Sequence, residues 1–330
     1  MNITFFEVQK WESAILASNF PHGQYIEEKL SEENAQQYEN SEIISCFIYS
    51  TLNAKVLSKF PKLRYIAIRG TGFDNVDKEY CSAKGIKISN VPEYGSRTVA
   101  EYTFALILNL TRKIYQSINQ SKILNFDHNL IRGVDLYGKK IGIVGLGKIG
   151  INVAEIASGF GMEIYAFSRN KNAELERRLN IRYADLEILI RESDITTLHL
   201  PLNSETRHII NIDNITKFKK GSYLVNTARG GLIDTQALLI GLDQKILDGV
   251  ALDVLEDEKE MQEEIEVLTS KFNKDTDYET LVLNHVLLNH PKVLITPHNA
   301  FNSTEALLRI TSTTIQNIKS FTEGVSINLA

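Results

Sequence analysis

Short apolar runs rich in Ile, Val, Leu and Tyr recur along the chain. They alternate with stretches whose apolar residues fall every three or four positions. The first pattern is that of buried strands and the second that of amphipathic helices. In the N-terminal third, the runs at 3–8, 43–49, 64–69 and 86–91 read as strands. Helical patterns lie between them, for example at 54–59 and 78–84. Strand and helix in alternation predict a parallel sheet. The first ~95 residues therefore read as a small α/β domain. A turn at 91–96 follows, and 97–118 reads as one long helix with Ser96 as its N-cap. Such a helix suits a connector between two α/β units, and Gly95 at its start is a candidate hinge.

The alternation resumes with Ile141, Ile143 and Val144, a short apolar run rich in β-branched residues. It ends in Gly145-Leu146-Gly147-Lys148-Ile149-Gly150, and a helical pattern continues over 151–160. Strand, glycine turn and helix are the context in which G-x-G-x-x-G binds a dinucleotide. Gly145 permits the tight turn, Gly147 lets backbone approach a pyrophosphate, and Gly150 lets helix and strand pack closely. The helix N-terminus presents N–H groups to the anion. The next strand, 163–168, ends where an NAD-binding unit places Asp or Glu against the ribose hydroxyls. Here that place holds Ser168-Arg169-Asn170. A carboxylate would repel a 2′-phosphate, whereas Ser and Arg bind one, so the reading favours NADP(H) over NAD(H).

Further strands are expected at 194–200, 222–226, 249–254 and 293–296. The first ends at Pro201, and the second in Thr227-Ala228-Arg229-Gly230-Gly231. The third runs into Glu256-Asp257-Glu258, and the fourth into Pro297-His298-Asn299-Ala300-Phe301. Parallel strands place their carboxyl ends on one side of a sheet, so arginine, acid and histidine converge at the cofactor. Singly, each has a plainer reading: a capping arginine, a solvated acidic loop, a structural histidine. Together, behind a dinucleotide motif, they form the constellation with chemistry. His199 lies inside a strand pattern and reads as packed. Arg69-Gly70-Thr71-Gly72-Phe73-Asp74-Asn75 follows the third strand of the first domain. Its glycines either turn the chain or let N–H groups face a small carboxylate.

Length and composition narrow the class. A chain of 330 residues, 43% hydrophobic, fits two globular domains with ample cores. A net charge of −5 with no long basic run argues against nucleic acid as a partner. Two cysteines, Cys46 and Cys81, build no disulfide framework and fit a reducing cytoplasm. The N-terminus lacks a basic segment followed by an apolar one. The most apolar helical pattern, 100–110, carries Glu101 and Asn109 and is too short to span a bilayer, so no membrane is expected. His285 and His290 have no carboxylate or thiolate at ligand spacing, and no metal is expected. A last helix is expected over 304–321, with Leu307, Leu308, Ile310, Ile315, Ile318 and Phe321 on a broad apolar face and Gly324 as its stop.

Six ordered blocks carry a family resemblance: VPEYGSRTVAEYTFALIL at 91–108, GLGKIG at 145–150, LHLPLNSET at 198–206, NTARGGLID at 226–234, ALDVLEDE at 251–258 and PHNAF at 297–301. Over nearly the whole chain it resembles the D-isomer-specific 2-hydroxyacid dehydrogenases, and most of all their D-lactate dehydrogenase-like branch. The resemblance implies an α/β protein of two Rossmann- or flavodoxin-like domains with parallel sheets and an active site in the cleft between them. It implies a substrate-binding domain of 1–96 plus 302–330, completed by the C-terminal helix, and a dinucleotide-binding domain of 97–301. The reaction implied is reversible reduction of a 2-oxo acid to the D-2-hydroxy acid by hydride transfer from NAD(P)H. Arg229 would bind the substrate carboxylate and polarise the oxo group. His298 would be the general acid and base, and Glu258 would orient its imidazole and raise its pKa. The register of the block points to Glu258 rather than Glu256 or Asp257. Thr71 and Gly72 match the backbone loop that holds the carboxylate. Lys148 and Ile149 match the pyrophosphate turn, and Ser168, beside Arg169, the ribose position. Leu200, Pro201 and Thr206 would line the adenosine side, and Thr227, Ala228 and Asp253 would flank the nicotinamide. A cytoplasmic homodimer is the family expectation. Tyr49, Ser50, Tyr94 and Phe301 are pocket candidates.

The chain departs from the family in three places. Tyr102 stands where the family often has His, no acid stands at Ser168, and a long acidic helical region fills 258–290. That region either covers the site or is a peripheral insertion. Two other functions use this fold. One is a dinucleotide-sensing, corepressor-like scaffold with little turnover. The other is formate or phosphite oxidation; formate-oxidising relatives carry Gln in place of Glu258.

Overall fold

The structure is a computed structural model that describes residues 1–73, 75–256 and 278–330. Its contacts divide into two compact units, Met1–Gly95 with Asn302–Ala330, and Ser96–Phe301.

The first unit carries β1 (Ile3–Phe5), β2 (Gln24–Tyr25), β3 (Ile43–Cys46), β4 (Tyr65–Ile68) and β5 (Lys87–Ser89). They pair in parallel in the order β2-β1-β3-β4-β5. This is a doubly wound order. Every residue of β1, β3 and β4 is buried. Burial on both faces explains why these strands are mostly apolar rather than alternating, with Thr4 and Ser45 the buried polar exceptions. The C-terminal helix Thr304–Thr322 belongs to this unit. Ser303 caps it by accepting from the Ala306 N–H, and Gly324, at φ +87°, lies just beyond its end. Ile315, Ile318 and Phe321 of the helix share a core with Ile3, Phe5 and Tyr65. The Phe321 ring stacks on Tyr65 at 4.1 Å with the planes 9° apart. The Tyr65 hydroxyl donates to Ser89 Oγ at 2.6 Å and lies 3.2 Å from the Asn317 carbonyl. Leu308, expected on the buried face, is exposed; Thr311, Thr314 and Asn317 are buried instead.

The second unit carries β6 (Lys140–Val144), β7 (Glu163–Phe167), β8 (Ile181–Tyr183), β9 (Ile195–Leu198), β10 (Ser222–Asn226), β11 (Leu247–Leu252) and β12 (Val293–Ile295). All are parallel, in the order β12-β11-β10-β9-β6-β7-β8. The order reverses between β6 and β9, which is the switch point where such sheets bind ligands. The expected helix 97–118 is two helices, Ser96–Arg112 and Ile114–Lys122. Lys113 breaks it with φ +50°, and the Asn109 side chain accepts from the Tyr115 N–H across the break. No Pro or Gly marks the spot, so the apolar period runs straight through it. Ser96 is the first helical residue rather than the cap. Among the described residues, no helix is long and apolar enough to cross a membrane.

The Tyr65–Phe321 stack gives a direct test of how firmly the last helix is held. Truncating a buried aromatic to Ala costs about 3–5 kcal/mol. Phe321→Ala is therefore expected to lower the urea midpoint by that amount of stability. A loss below about 1 kcal/mol would show that other contacts anchor the helix.

Candidate active site

The glycine turn leaves β6 at the switch point. Gly145 has φ +102°, and a Cβ there would lie 2.7 Å from the His199 carbonyl oxygen. A Cβ on Gly150 would stand 2.1 Å from the Gly145 carbonyl oxygen. Gly147 differs: nothing lies within 4 Å of its Cβ direction. It caps the helix Lys148–Gly159 and brings no side chain to the first N–H groups. Two glycines thus allow backbone contact inside the protein, and the third leaves room beside a helix N-terminus. That room fits a dinucleotide pyrophosphate. Lys148 is exposed and Ile149 half-buried beside it.

Two loops flank the turn. After β7, the Ser168 hydroxyl donates to the Asn170 carbonyl at 3.1 Å. Arg169 is exposed, with its guanidinium 3.6 Å from the Glu205 carboxylate. After β9, the segment from Leu200 and Pro201 to Thr206 is folded around Asn203. Asn203 Oδ1 accepts from the N–H groups of Glu205, at 2.9 Å, and Thr206, at 3.0 Å. The Thr206 hydroxyl donates to the Pro201 carbonyl at 2.6 Å. His199, just before this loop, places Nε2 2.9 Å from Thr197 Oγ1, while its Nδ1 is buried with no hydrogen-bond partner. Burial lowers its pKa to about 3, so it is a neutral, packed histidine.

Arg229 follows β10. Asn226 accepts from the Ala228 N–H at 3.0 Å and donates to the Arg229 carbonyl at 2.8 Å, so its side chain closes the loop on itself. The half-buried Arg229 guanidinium donates to the Ala228 carbonyl at 2.7 Å. Thr227 is buried with its hydroxyl 3.0 Å from that of Thr103. A Cβ on Gly230 would meet the Leu255 carbonyl oxygen at 1.9 Å, so the arginine loop lies directly on the exit of β11.

Asp253 leaves β11 and organises the next loop. Its carboxylate accepts from Thr296 Oγ1 at 2.5 Å and from the N–H groups of Asn299 and Ala300, both at 2.8 Å. Its main-chain oxygen accepts from the His298 N–H at 2.9 Å. Burial raises the Asp253 pKa, and these hydrogen bonds pull the other way. His298 sits between them with φ +51°, its ring 6.4 Å from Phe301 at 74°. Arg229 and His298 therefore follow the two strands that flank β11, on the carboxyl edge that also carries the glycine turn.

Among the three acids at 256–258, Glu256 is nearly fully buried. It bonds His208 Nε2 at 2.5 Å and Thr235 Oγ1 at 3.0 Å, with Arg207 at 3.4 Å. Its carbonyl accepts from Asn284 at 2.8 Å. Asp257 and Glu258 lie outside the described residues, as does the region 258–290 up to residue 277; residues Tyr278–Leu288 are helical. In the first unit, the Thr71 hydroxyl donates to the Val91 carbonyl at 2.8 Å, and Asn90 donates to the Thr71 carbonyl at 2.7 Å. These bonds fix the loop that carries Thr71 and Gly72; Asp74 lies outside the described residues. Among the described residues, no group of three His, Cys, Asp or Glu side chains is placed to hold a metal ion.

The sequence did not reveal the clamp made by Asp253 or the Glu256–His208 pair. One signal was present: acids at the end of an apolar strand are seldom buried without partners, which points to a local hydrogen-bonding task.

A doubly wound sheet with this turn at its switch point defines a dinucleotide-binding protein. The family model described as D-isomer specific 2-hydroxyacid dehydrogenase, NAD binding domain, matches residues 104–300. The chain is 34% identical over 328 residues to 2-hydroxyacid dehydrogenase homolog 1 of Schizosaccharomyces pombe, covering 97% of this chain and 96% of that one. It is 33% identical to D-lactate dehydrogenase of Escherichia coli, covering 89% and 88% of the two chains. The crystal structure of D-lactate dehydrogenase from Aquifex aeolicus, complexed with NAD and lactic acid, superposes with a TM-score of 0.87 at 32% identity, covering 98% and 96%. The chain belongs to the D-isomer-specific 2-hydroxyacid dehydrogenase family, enzymes that act on CH–OH groups with a nicotinamide cofactor.

The contact at Gly150 is testable without any substrate. Gly150→Ala drives a methyl into the Gly145 carbonyl, and overpacking of this kind costs about 1–3 kcal/mol. Calorimetric titration with NADH is expected to show affinity reduced at least about tenfold. Unchanged affinity would remove the close approach from the binding site.

Proposed function

We propose that the protein reduces a 2-oxo acid to the D-2-hydroxy acid, and runs the reverse reaction, with NAD(P)H as partner. The supporting observation is the placement of Arg229 and His298 after β10 and β12, on the sheet edge that carries the glycine turn. The hydride for C2 of the substrate would be supplied by a bound nicotinamide in reduction and returned to it in oxidation. Arg229 pairs with the substrate carboxylate and stabilises the charge that grows on the oxo oxygen. Protonated His298 delivers a proton to that oxygen in reduction, and the neutral ring removes it in oxidation. Glu258 is assigned by the resemblance as the acid that orients His298. The engagement of Glu256 with His208 and Thr235 supports choosing Glu258 over it. The resemblance assigns Thr71 and Gly72 to carboxylate binding through their backbone donors. The fixed loops around Lys148, Ile149, Leu200, Pro201, Thr206, Thr227, Ala228 and Asp253 are assigned to the cofactor. Ser168 and Arg169 support acceptance of a 2′-phosphate, and so of NADP(H).

The same reading makes the protein a cytoplasmic homodimer. Both cysteines are free and buried, in keeping with a reducing compartment. The segment after the Lys113 break exposes Ile118, Ile123, Leu124, Phe126, Leu130 and Tyr137, a run that a second copy would cover.

The test is nicotinamide absorbance with NADPH and NADH against pyruvate, phenylpyruvate, glyoxylate, hydroxypyruvate and 2-oxoisocaproate. Turnover with at least one acid is expected. His298→Gln should lower kcat about 10²–10⁴-fold without changing the urea midpoint. Arg229→Ala should lower kcat and raise KM together. Full activity in either variant removes that residue from the mechanism. For assembly, light scattering should give twice the chain mass, and the double variant Leu124→Lys, Phe126→Lys should give the monomer. A wild-type monomer would overturn the dimer.

A further inference from the structure

We propose that Glu205 governs the choice between NAD(H) and NADP(H) by competing with a 2′-phosphate for Arg169. This rests on the reading of Ser168-Arg169 as the ribose-facing end of β7.

The topology brings the two residues together. β7 and β9 are the two neighbours of β6, the strand that ends in the glycine turn. Arg169 follows β7 and Glu205 follows β9, and their side chains meet at 3.6 Å. The pair therefore spans the exit of β6. An acid that NAD-binding units place at the end of the second strand is missing there, since Ser168 stands in its position. Glu205 brings a carboxylate to the same neighbourhood from a different loop.

The loop is built to present it. Asn203 Oδ1 accepts from the N–H groups of Glu205 and Thr206, and the Thr206 hydroxyl closes back onto Pro201. The backbone that carries Glu205 is thus held by three hydrogen bonds, while the carboxylate itself is left to Arg169. Both side chains of the pair are mostly exposed, at 81% and 75%. A pair so exposed contributes little to stability and separates readily. Arg169 can then change partners. A phosphate monoester is the stronger one, because it carries more charge than a carboxylate and accepts the same two parallel N–H donors. Glu205 opposes this exchange in two ways: it holds the guanidinium, and it stands as a like charge beside the phosphate. With NAD(H), the carboxylate keeps Arg169 and still has lone pairs with which to accept from a ribose hydroxyl, the task of the missing acid.

The experiment is calorimetric titration of the wild type, Glu205→Gln and Arg169→Ala with 2′,5′-ADP and 5′-AMP, then with NADP⁺ and NAD⁺. Removing a like charge a few ångströms from a phosphate in a solvated site is worth about tenfold in affinity. Glu205→Gln should therefore tighten 2′,5′-ADP about tenfold relative to 5′-AMP, with an unchanged urea midpoint. The gain should shrink in 0.5 M salt, where exposed charges are screened. Arg169→Ala should weaken 2′,5′-ADP selectively. If Arg169→Ala has no selective effect, the ribose-end reading fails and the proposal falls with it. If Arg169→Ala weakens 2′,5′-ADP but Glu205→Gln leaves the ratio unchanged, the reading of Arg169 stands and the role of Glu205 is overturned.

Discussion

Backbone lies directly on backbone at two strand exits of the nucleotide-binding unit, and the site depends on both contacts. A Cβ on Gly150 would stand 2.1 Å from the Gly145 carbonyl oxygen, and one on Gly230 would stand 1.9 Å from that of Leu255. Neither glycine has a positive φ, so contact rather than backbone freedom requires it there. The first contact seats the helix Lys148–Gly159 on its own strand and leaves its N-terminus beside the open face of Gly147. The second seats the loop after β10 on the exit of β11, one residue beyond Arg229. The arginine loop and the segment leading into the acidic stretch thus touch directly, beside the Asn226 bonds that close the first and the Glu256 bonds that hold the second.

The histidine is held by a different device. Asp253 takes the His298 N–H on its carbonyl and the Thr296, Asn299 and Ala300 donors on its carboxylate. A buried carboxylate without such donors would be strongly destabilising, and the raised pKa of Asp253 records part of that cost. The donors come from the residues on both sides of His298. The loop cannot shift without stranding them, and this lets it keep His298 at φ +51°, a conformation of order 1–3 kcal/mol above the usual one.

The sequence made the framework legible because its signals are local. Short runs rich in apolar and β-branched residues, buried on both faces, located β3, β4, β9 and β10, and the glycine turn located the switch point. The last helix was visible from its period and its terminal glycine. What escaped notice depends on tertiary partners. The break at Lys113 carries no Pro or Gly, and a lysine in the left-handed region leaves no trace in the apolar pattern. Three-residue β8 is too short for a period. Leu308 fits the apolar stripe of its helix, yet Thr311, Thr314 and Asn317 are buried in its place, and the Asn317 carbonyl and side chain meet Tyr65, Asn90 and Asn328 there. At the candidate site, the positions of Arg229 and His298 past the ends of β10 and β12 could be read from the runs that precede them. The uses of Asp253 and Glu256 could not, because each bonds residues far away in sequence.

One arrangement recurs in both units. In a parallel ladder the backbone N–H groups just past a strand end have lost their partner strand, and a buried exit must find acceptors for them. In the second unit Asp253, following β11, supplies them to the loop after its neighbour β12. In the first unit Glu7, following β1, does the same for the loop after its neighbour β3. Its carboxylate accepts from the N–H groups of Phe47, Tyr49 and Ser50 at 2.9–3.2 Å, and from the Ser50 hydroxyl at 2.5 Å. The buried Arg69, following β4, donates to the carbonyls of Phe6 and Glu7 at 2.6 and 2.9 Å and fixes the base of that clamp. A carboxylate suits this task because it accepts from several donors at once and bonds them more strongly than a neutral carbonyl does. It extends the ladder sideways by one turn of loop. The carboxyl edge of a parallel sheet thus becomes a rigid platform, and rigid loops on that edge are what ligand binding at such sheets requires.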